Sequence, residues 1–472
     1  MNGIVAYGAY VPYFRLDRTA MAAALGQPGG KGTRAVASYD EDTTSMGVEA
    51  ARAALRAAPR VRPAALYFAT AAPGYLDKTN ATAIHAALGL DLTAPAWDML
   101  GAVRSGAGAL RAALDAGRLT LAVCADIRTG LPGGADEREG GDAAVAFLCG
   151  EGSAEAPLLA EPVAWAHATA EFLDRWRPPG ATASRQWEER FGEHAYVPLG
   201  EAAVTEALKQ AGVTAQALDR LIVAGPHARA CKRVAAAVGA KPAAVADDLS
   251  ATVGNTGTAH AGLLLADTLD GAAPDQLLAV VSLADGCDVT IWRTTAALST
   301  RRAPGTVAQQ VAGGAAVPYA AFLTWRGFLD REPPRRPDPE RPAAPPSFRG
   351  GAWKFAFTGS RCQACGARHV PPQRICLKCH AVDRMAPERL SDVPAVIATF
   401  TVDRLAYSLS PPVVAAVIDF EGGGRFQCEL TDVDPAAVAI GTRVEMTFRR
   451  LFTAGGVHNY FWKARPLRAS SS

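Results

Sequence analysis

Two pairs of cysteines near the C-terminus constrain the fold of this chain more than any other feature. Cys362 and Cys365 are separated by two residues, as are Cys376 and Cys379, and ten residues lie between the pairs. Each pair places two thiolates on one tight turn, so the two turns supply four soft ligands for a tetrahedral zinc ion. Because four cysteine ligands leave no coordination position open, we predict one structural zinc ion, held by a zinc ribbon, rather than a catalytic one.

The other cysteines are scattered, and the total of nine is odd. The N-terminal residues show no basic stretch followed by a long apolar run, so we expect no secretion signal, no disulfide framework and a cytoplasmic location. No apolar stretch approaches the ~20 residues needed to span a membrane, and we expect no membrane partner. The net charge of +2 gives no reason to expect a nucleic-acid partner.

A proline-rich segment divides the chain. Seven of the fifteen residues from 332 to 346 are proline, which is typical of a semi-rigid linker and argues against a helix or a sheet interior. A chain of 472 residues is also too long for one hydrophobic core. We therefore predict five parts: two half-domains at 1–165 and 166–331, a linker at 332–350, a zinc ribbon at 351–386 and a β-barrel at 387–472.

The part before the linker repeats one order of elements. Apolar strands at 66–70 and 221–225 are each followed by an Ala-rich helix, which ends in AALG in the first copy and AAVG in the second. The segments 98–106 and 248–256 are also alike, and each leads into an Ala/Leu-rich helix and then another strand. This alternation predicts a layered α/β fold built from two copies of one half-domain.

The part after the zinc motif contains short runs of alternating apolar and polar residues, separated by Gly, Asp and Pro. Five such runs predict the strands of a small β-barrel such as an OB-fold. The runs lack the interleaved basic and aromatic residues that single-stranded nucleic acid needs, so nucleic-acid binding is not expected of this barrel. The predicted strands are 393–402, 413–420, 425–430, 443–448 and 459–464.

Three motifs in the repeated part carry the candidate chemistry. His227 follows the second apolar strand and precedes Cys231 and Lys232 by four and five residues; Asn255 lies in VGNTG before a helix; and residues 140–148 read GGDAAVAFL. A histidine at a strand end can act as a general acid or base near neutral pH, and an amide can donate to a thioester oxygen. Taken alone, each residue also fits an ordinary loop or turn without a catalytic role.

Together with the repeated order of elements, these motifs resemble the thiolase superfamily, in particular its 3-hydroxy-3-methylglutaryl-CoA synthase and ketoacyl synthase III branch, over about residues 1–330. The ribbon and barrel resemble the DUF35 family of zinc ribbon and OB-fold proteins that accompany thiolase-like enzymes. The resemblance implies a duplicated thiolase-like α-β-α-β-α fold, a thioester substrate on coenzyme A or an acyl carrier protein, and a homodimer. It also implies that His227 polarises or deprotonates acyl groups, that Lys232 lies near coenzyme A, and that Asn255 helps to form an oxyanion hole.

Two positions depart from the family. Aligned on Asp98 and residues 109–110, the position of the family's reactive cysteine is Val103, which cannot form a thioester. The family's synthase glutamate, expected directly after Thr70, is Ala71. These departures argue against true hydroxymethylglutaryl-CoA synthase activity.

Three nearby residues could replace the missing groups. Ser105 could be a shifted nucleophile assisted by a helix N-terminus and His227, or simply a helix cap. Arg104 could bind a carboxylate or phosphate, or only extend its charged end into solvent. Tyr75 could exchange a proton with a substrate hydroxyl, or only pack within its loop.

Three functions therefore remain open. The first is an acyltransferase of the condensing type, acting on an acyl-CoA or acyl-carrier-protein thioester without a cysteine nucleophile. The second is a retro-aldolase or related lyase on a β-hydroxyacyl-CoA, with Tyr75 or His227 as base, because thiolase-like proteins that lack the cysteine and pair with ribbon and OB-fold proteins do this in sterol side-chain breakdown. The third is a thioester-binding scaffold without catalysis.

Overall fold

The computed structural model describes residues 2–28, 30–300 and 305–467. The chain forms two compact units, which are described separately. The body comprises Met1–Ala37, Met46–Thr82 and Asp91–Phe322, and the barrel unit comprises Ser38–Ser45, Ala83–Leu90 and Leu323–Ser472. Within the described residues, no helix combines the length and the apolar character needed to cross a membrane.

The elements that begin before residue 323 alternate between strands and helices, as predicted. The strands are β1 (Asn2–Tyr10), β2 (Phe14–Asp17), β3 (Thr33–Val36), β4 (Ala65–Thr70), β5 (Ala96–Leu100), β6 (Thr120–Ile127), β7 (Asp142–Glu151), β8 (Ala160–Ala168), β9 (Arg175–Trp176), β10 (Arg185–Gln186), β11 (Arg220–Ala224), β12 (Leu277–Leu283), β13 (Cys287–Thr294) and β14 (Ala315–Ala316). The helices are α1 (Arg18–Ala24), α2 (Thr43–Ala57), α3 (Ala81–Leu88), α4 (Ser105–Asp115), α5 (Ala135–Glu139), α6 (Glu189–Ala211), α7 (Ala228–Val238), α8 (His260–Gly271), α9 (Val307–Ala312) and α10 (Tyr319–Trp325).

The main sheet of the body shows the predicted duplication. Its nine strands run in the order β11-β12-β13-β8-β1-β7-β6-β4-β5. In the first half β4 is parallel to β6, which is antiparallel to β7, and β7 is antiparallel to β1. The second half repeats this pattern, because β11 is parallel to β12, β12 is antiparallel to β13, and β13 is antiparallel to β8. The strands read as continuous apolar runs because helices cover them.

The helices α4 and α8, one from each half, meet in the centre of the body. Both contribute to one apolar core, together with residues of β1, β6 and β7. A second core packs α6 and α7 against β8, β11, β12 and β13. A side chain at Gly106 would place its Cβ 2.2 Å from the carbonyl oxygen of Thr258. Glycine at this position therefore allows α4 to approach the turn that leads into α8.

The barrel unit contains a small three-stranded sheet, in the order β16-β15-β17, and a closed five-stranded barrel, in the order β18-β19-β20-β22-β21. The prediction of five barrel strands is confirmed, and two of them, Val413–Phe420 and Arg425–Leu430, have the predicted bounds. The elements are α11 (Ala344–Arg349), α12 (Gly351–Lys354), β15 (Thr358–Cys362), β16 (Arg368–His369), β17 (Met385–Arg389), β18 (Ala395–Asp403), β19 (Val413–Phe420), β20 (Arg425–Leu430), β21 (Arg443–Ala454) and β22 (Val457–Pro466).

The proline-rich segment differs from the expectation at one end. We expected no helix between 332 and 346, yet α11 begins at Ala344 and includes Pro345 and Pro346 in its first turn. Proline is tolerated there because the first N–H groups of a helix have no partner within the helix. The boundaries predicted from the sequence for the five parts stay predictions.

Candidate active site and metal centre

Three adjoining cavities lie in the body. We call them the apolar cavity, of about 50 Å³, the polar cavity, of about 260 Å³, and the arginine cavity, of about 200 Å³. Val103 lines both the apolar and the arginine cavity, and Pro226 lines both the arginine and the polar cavity. His260 lines both the apolar and the polar cavity. The apolar and arginine cavities therefore meet at Val103, and the polar cavity adjoins each of them through a shared residue.

The two positions that we expected to depart from the family line the same cavity. Val103, in the loop before α4, and Ala71, directly after β4, both border the arginine cavity. Cys124 lines the apolar cavity and Cys231 the polar cavity. Burial raises the pKa of each thiol to about 12, so both are protonated at neutral pH. Neither is an activated nucleophile, because the thiolate is the reactive form.

His227 caps α7. Its Nδ1 accepts a hydrogen bond from the backbone N–H of Ala230 at 3.1 Å, and its Nε2 lies 2.7 Å from the carbonyl oxygen of Glu189. Because Nδ1 accepts and a carbonyl oxygen cannot donate, Nε2 is the donor of the hydrogen bond to the carbonyl of Glu189. His227 lines none of the three cavities. A role in proton transfer would require Nε2 to leave the carbonyl of Glu189.

Asn255 and Lys232 both line the polar cavity. The side-chain oxygen of Asn255 accepts from the backbone N–H of Gly257 at 2.9 Å, and its Nδ2 donates to the carbonyl oxygen of Gly225 at 2.6 Å. Both ends of the amide are therefore engaged in holding the turn before α8. Lys232 is exposed, and its charge is free to meet an anionic group that enters the cavity.

Arg104, Ser105 and Tyr75 line none of the three cavities. The guanidinium of Arg104 binds both carboxylate oxygens of Asp288, at 2.8 and 3.2 Å. Ser105 is the first residue of α4, and its hydroxyl makes no hydrogen bond with the residues that the structure describes. The backbone of Tyr75 is bonded at both its N–H and its carbonyl to the side chain of Asn80.

Several groups at the cavities were missed by sequence reasoning. Arg128, Arg175 and Arg177 all line the arginine cavity. Arg175 is paired with Asp136, with one N–O distance of 2.7 Å, and Arg177 donates to the carbonyl of Ala71. Burial lowers the pKa of Arg128, and the neighbouring Arg175 adds to this effect. No sequence motif marks these arginines, because Arg128 follows β6 whereas Arg175 and Arg177 lie in and directly after β9, and only the fold brings the two segments together.

His260, also missed, is the first residue of α8. Its side chain is buried, with 5% of its surface exposed. Its Nδ1 lies 3.4 Å from the hydroxyl oxygen of Thr256. Burial lowers its pKa to about 4, so the ring is neutral at pH 7. His260 lies five residues after Asn255, at the start of a predicted helix. This position could have identified it as a candidate site residue from the sequence.

Asp126 joins the two halves next to the cavities. It is fully buried and accepts hydrogen bonds from the backbone N–H of Ala71 at 2.8 Å and from the hydroxyl of Thr70 at 3.0 Å. It also accepts from both the N–H and the hydroxyl of Thr258, each at 2.8 Å. This carboxylate therefore fixes the end of β4 against the turn before α8.

The four cysteines of the zinc motif come together in the barrel unit. Their sulfur atoms all lie within 4.8 Å of one another. The distances are 3.6 Å between Cys362 and Cys379 and 3.6 Å between Cys365 and Cys376. Sulfurs at the usual zinc distance of about 2.3 Å would stand roughly 3.8 Å apart in a tetrahedron. The donor set and its spacing therefore fit a zinc ion.

Solved structures with the same fold as the body define its class. MvaS in complex with 3-hydroxy-3-methylglutaryl coenzyme A matches with a TM-score of 0.59 and 21% identity, over 72% of this chain and 94% of that one. The 3-oxoacyl-(acyl carrier protein) synthase III from Pseudomonas aeruginosa matches with a TM-score of 0.54 and 22% identity, over 62% and 98%. The body therefore has the thiolase-like fold, and the fold class predicted from the sequence is confirmed.

Sequence relatives identify the family. The hydroxymethylglutaryl-CoA synthase of Aeropyrum pernix is 31% identical over 299 residues, which are 60% of this chain and 82% of that protein. The synthase of Archaeoglobus fulgidus is 28% identical over 344 residues, 69% of this chain and 98% of that protein. The chain belongs to the hydroxymethylglutaryl-CoA synthase family. Residues 388–449 match the family model described as the C-terminal OB-fold domain of ChsH2, which confirms the predicted OB-fold.

Proposed function

We propose that this protein is a condensing-type enzyme that performs carbon–carbon bond chemistry on an acyl thioester of coenzyme A or an acyl carrier protein, with no acyl group held covalently at position 103. The family supports the substrate class, because its relatives are named for such thioesters. One observation supports chemistry without a covalent intermediate, in contrast to the family's reactive cysteine. Val103 and Ala71, which stand in place of the cysteine and the glutamate, line the same cavity.

Without the cysteine, the thioester would react directly while bound. Such chemistry needs a base to form the nucleophile and hydrogen-bond donors to stabilise an enolate oxygen. We assign the oxyanion role to the second N–H of the Asn255 amide, which the bond to Gly225 leaves over, and contact with the coenzyme A phosphates to Lys232, since both residues line the polar cavity. His227 and Tyr75 stay candidate acid–base groups, and Ser105 a candidate nucleophile.

Cleavage is the second candidate. A retro-aldol reaction on a β-hydroxyacyl-CoA needs a base and an enolate-stabilising site but no covalent intermediate. It is favoured because the two cysteines among the described cavity-lining residues, Cys124 and Cys231, are both unactivated. Residues 388–449 match an OB-fold domain of ChsH2. This match agrees with the expected pairing of a ribbon and barrel with a thiolase-like protein that lacks the nucleophilic cysteine. Condensation and cleavage are the two directions of one reaction, and both use the same cavities.

The test is to incubate the protein with a panel of acyl-CoA and β-hydroxyacyl-CoA esters and to follow both products and protein mass. We expect turnover in at least one direction and no acyl adduct on the intact chain. An adduct on the Ser105 peptide, lost in Ser105→Ala, would instead establish the serine route. Binding of coenzyme A esters with no turnover over the whole panel would support a non-catalytic scaffold and overturn the proposal.

Restoring the nucleophile provides a matched control. In Val103→Cys, a thiol faces the cavities at the position where the family carries it. We expect this variant to collect an acyl group from acetyl-CoA, seen as a mass shift that hydroxylamine removes, whereas the unchanged protein collects none. If neither protein binds acetyl-CoA, the cavities are not a thioester site.

For the barrel unit we propose that Cys362, Cys365, Cys376 and Cys379 hold one zinc ion per chain. With four cysteine ligands the ion would cross-link the ribbon and would supply no open position for a substrate. We also propose that the protein forms a homodimer, which light scattering of the purified chain would test.

A further inference from the structure

We propose that His260 is the acid–base residue of the carbon–carbon bond reaction, in a position where it contacts the reacting atoms in the cavities. This inference rests on the proposed function and names the residue that moves the proton. Three observations carry it: the burial of the ring, the lack of a partner for one of its nitrogens, and its place between two cavities.

The ring of His260 is 5% exposed. Its Nδ1 has one neighbour, the hydroxyl oxygen of Thr256 at 3.4 Å. Within the described residues, Nε2 makes no hydrogen bond to the protein. It is not one of the fully enclosed side-chain atoms that lack a partner, so this nitrogen is accessible from the space that the residue lines. A ligand in that space can therefore reach Nε2.

The cavities around the ring indicate what that ligand is. His260 lines the polar cavity together with Asn255 and Lys232, and it lines the apolar cavity together with Val103. A thioester whose carbonyl lies at the polar cavity and whose acyl group enters the apolar cavity would pass this ring. His227, by contrast, lines none of the cavities and has both ring nitrogens engaged.

The surroundings of the ring keep it neutral at pH 7. Desolvation lowers the pKa of the ring to about 4, Asp248 opposes this shift, and Arg128 adds to it. The charged residues that line the polar cavity with the ring are Arg18, Arg128, Asp136, Glu139, Arg175, Lys232 and Asp248, and Asp288 lines the apolar cavity. At pH 7 the imidazole is therefore unprotonated at one nitrogen and can accept a proton.

The step balances without a cofactor. In the cleavage direction, Nε2 accepts the proton of the β-hydroxyl of a β-hydroxyacyl thioester, and the β-carbon becomes a carbonyl. The bond between the α- and β-carbons breaks, and its electron pair forms the thioester enolate. The α-carbon then takes a proton back from the imidazolium or from water. In the condensation direction the enolate attacks the carbonyl, and the imidazolium protonates the new alkoxide.

The experiment compares His260→Gln with the unchanged protein on a panel of linear and 3-methyl-branched 3-hydroxyacyl-CoA esters. Deuterium uptake at the α-carbon of propionyl-CoA in D2O reports enolate formation when the natural acceptor is not known. General-base catalysis is typically worth 10² to 10⁴ in rate, so we expect kcat to fall about 100-fold or more. The affinity for the CoA ester should change less than about threefold, because glutamine has nearly the same size.

His194→Gln is the matched control, because His194 is an exposed histidine on α6 that lines none of the cavities; its turnover should be unchanged. Full turnover by His260→Gln would overturn the inference and leave the proposed function in place. No turnover and no exchange by the unchanged protein over the panel would overturn both.

A second measurement covers the case in which His260→Gln does not fold. In the unchanged protein labelled with ¹⁵N-histidine, one ring should remain neutral from pH 7 down to about 5, and its Nε2 signal should move when propionyl-CoA binds. The signal is assigned by its loss in His260→Asn or, if that variant is also unfolded, by its resistance to protonation among the eight histidines. A neutral, buried ring whose signal ignores the ligand would overturn the inference.

Discussion

The zinc motif and the candidate active site were both predicted from short sequence patterns, yet only the residues of the zinc motif come together in the structure. The four cysteines converge within 4.8 Å of one another. The six candidate residues of the body do not converge: Asn255 and Lys232 line one cavity, while Arg104, Ser105, Tyr75 and His227 line none of the three. The cysteine pattern thus identified a converged cluster of four thiols, whereas the motifs of the body identified only the neighbourhood of the candidate active site.

The difference has a physical origin. Each CxxC pair lies on one turn, so its geometry follows from local backbone, and only two turns have to meet. The active-site candidates come from segments far apart in the sequence, where other partners compete for the same polar atoms. Asp288 binds Arg104, and the carbonyl of Glu189 binds His227. Local spacing cannot reveal these competitors.

The largest expected effect is the loss of the metal centre. Replacing Cys362 and Cys365 by serine removes half of the ligands, and structural zinc contributes directly to folding energy. We expect zinc content to fall from one ion per chain to none, and limited proteolysis to cut the ribbon and barrel. Turnover by the body should remain. The control is Cys428→Ser, since Cys428 lies on β20 outside the cluster; unchanged zinc content in the double variant would contradict the prediction.

The next effect tests whether Arg104 is structural. Its pair with Asp288 is largely buried, with 23% and 12% of the two side chains exposed. Arg104→Leu leaves the carboxylate of Asp288 without this partner, so we expect a loss of about 2–3 kcal/mol in the free energy of unfolding, measured with urea.

The control for Arg104 is Arg111→Ala on α4, the helix that begins directly after Arg104. Its pair with Asp115 is more open, with 43% and 55% exposed, and exposed pairs are worth at most about 1 kcal/mol. If Arg104→Leu were as stable as Arg111→Ala but no longer bound a CoA ester, Arg104 would be a substrate contact. The sequence would then have identified a residue of the active site as directly as it identified the four cysteines.

A smaller effect is expected at His227. Alanine removes the cap of α7 and the hydrogen bond to Glu189, and caps and single hydrogen bonds are each worth roughly 1 kcal/mol. We expect His227→Ala to lose about 1–2 kcal/mol of stability, and the exposed His194→Ala to lose less than about 0.5 kcal/mol. A large fall in kcat at unchanged stability would show that His227 takes part in the reaction. Its ring would then have to leave the carbonyl of Glu189 when substrate binds.

Much of the fold could be predicted from the sequence, because apolar periodicity and the repeated order of elements are properties of single segments. The bounds of β19 and β20 were predicted to the residue. The start of α11 was missed because prolines were treated as excluding any helix, although the first turn accepts them. At the candidate site, His260 and the three arginines of the arginine cavity were missed, because their meeting depends on the packing of loops from both halves.

The smallest expected effect is at Ser105. Its hydroxyl makes no hydrogen bond with the described residues, and it lies outside the three cavities. A serine that neither caps the helix nor faces substrate loses little when its oxygen is removed, so Ser105→Ala should change stability by less than about 0.5 kcal/mol and turnover by less than about twofold. Urea unfolding and the acyl-CoA assay measure both. A loss of turnover of about 100-fold at normal stability would instead mean that the start of α4 carries a nucleophile. Both halves of the body would then contribute a reacting group.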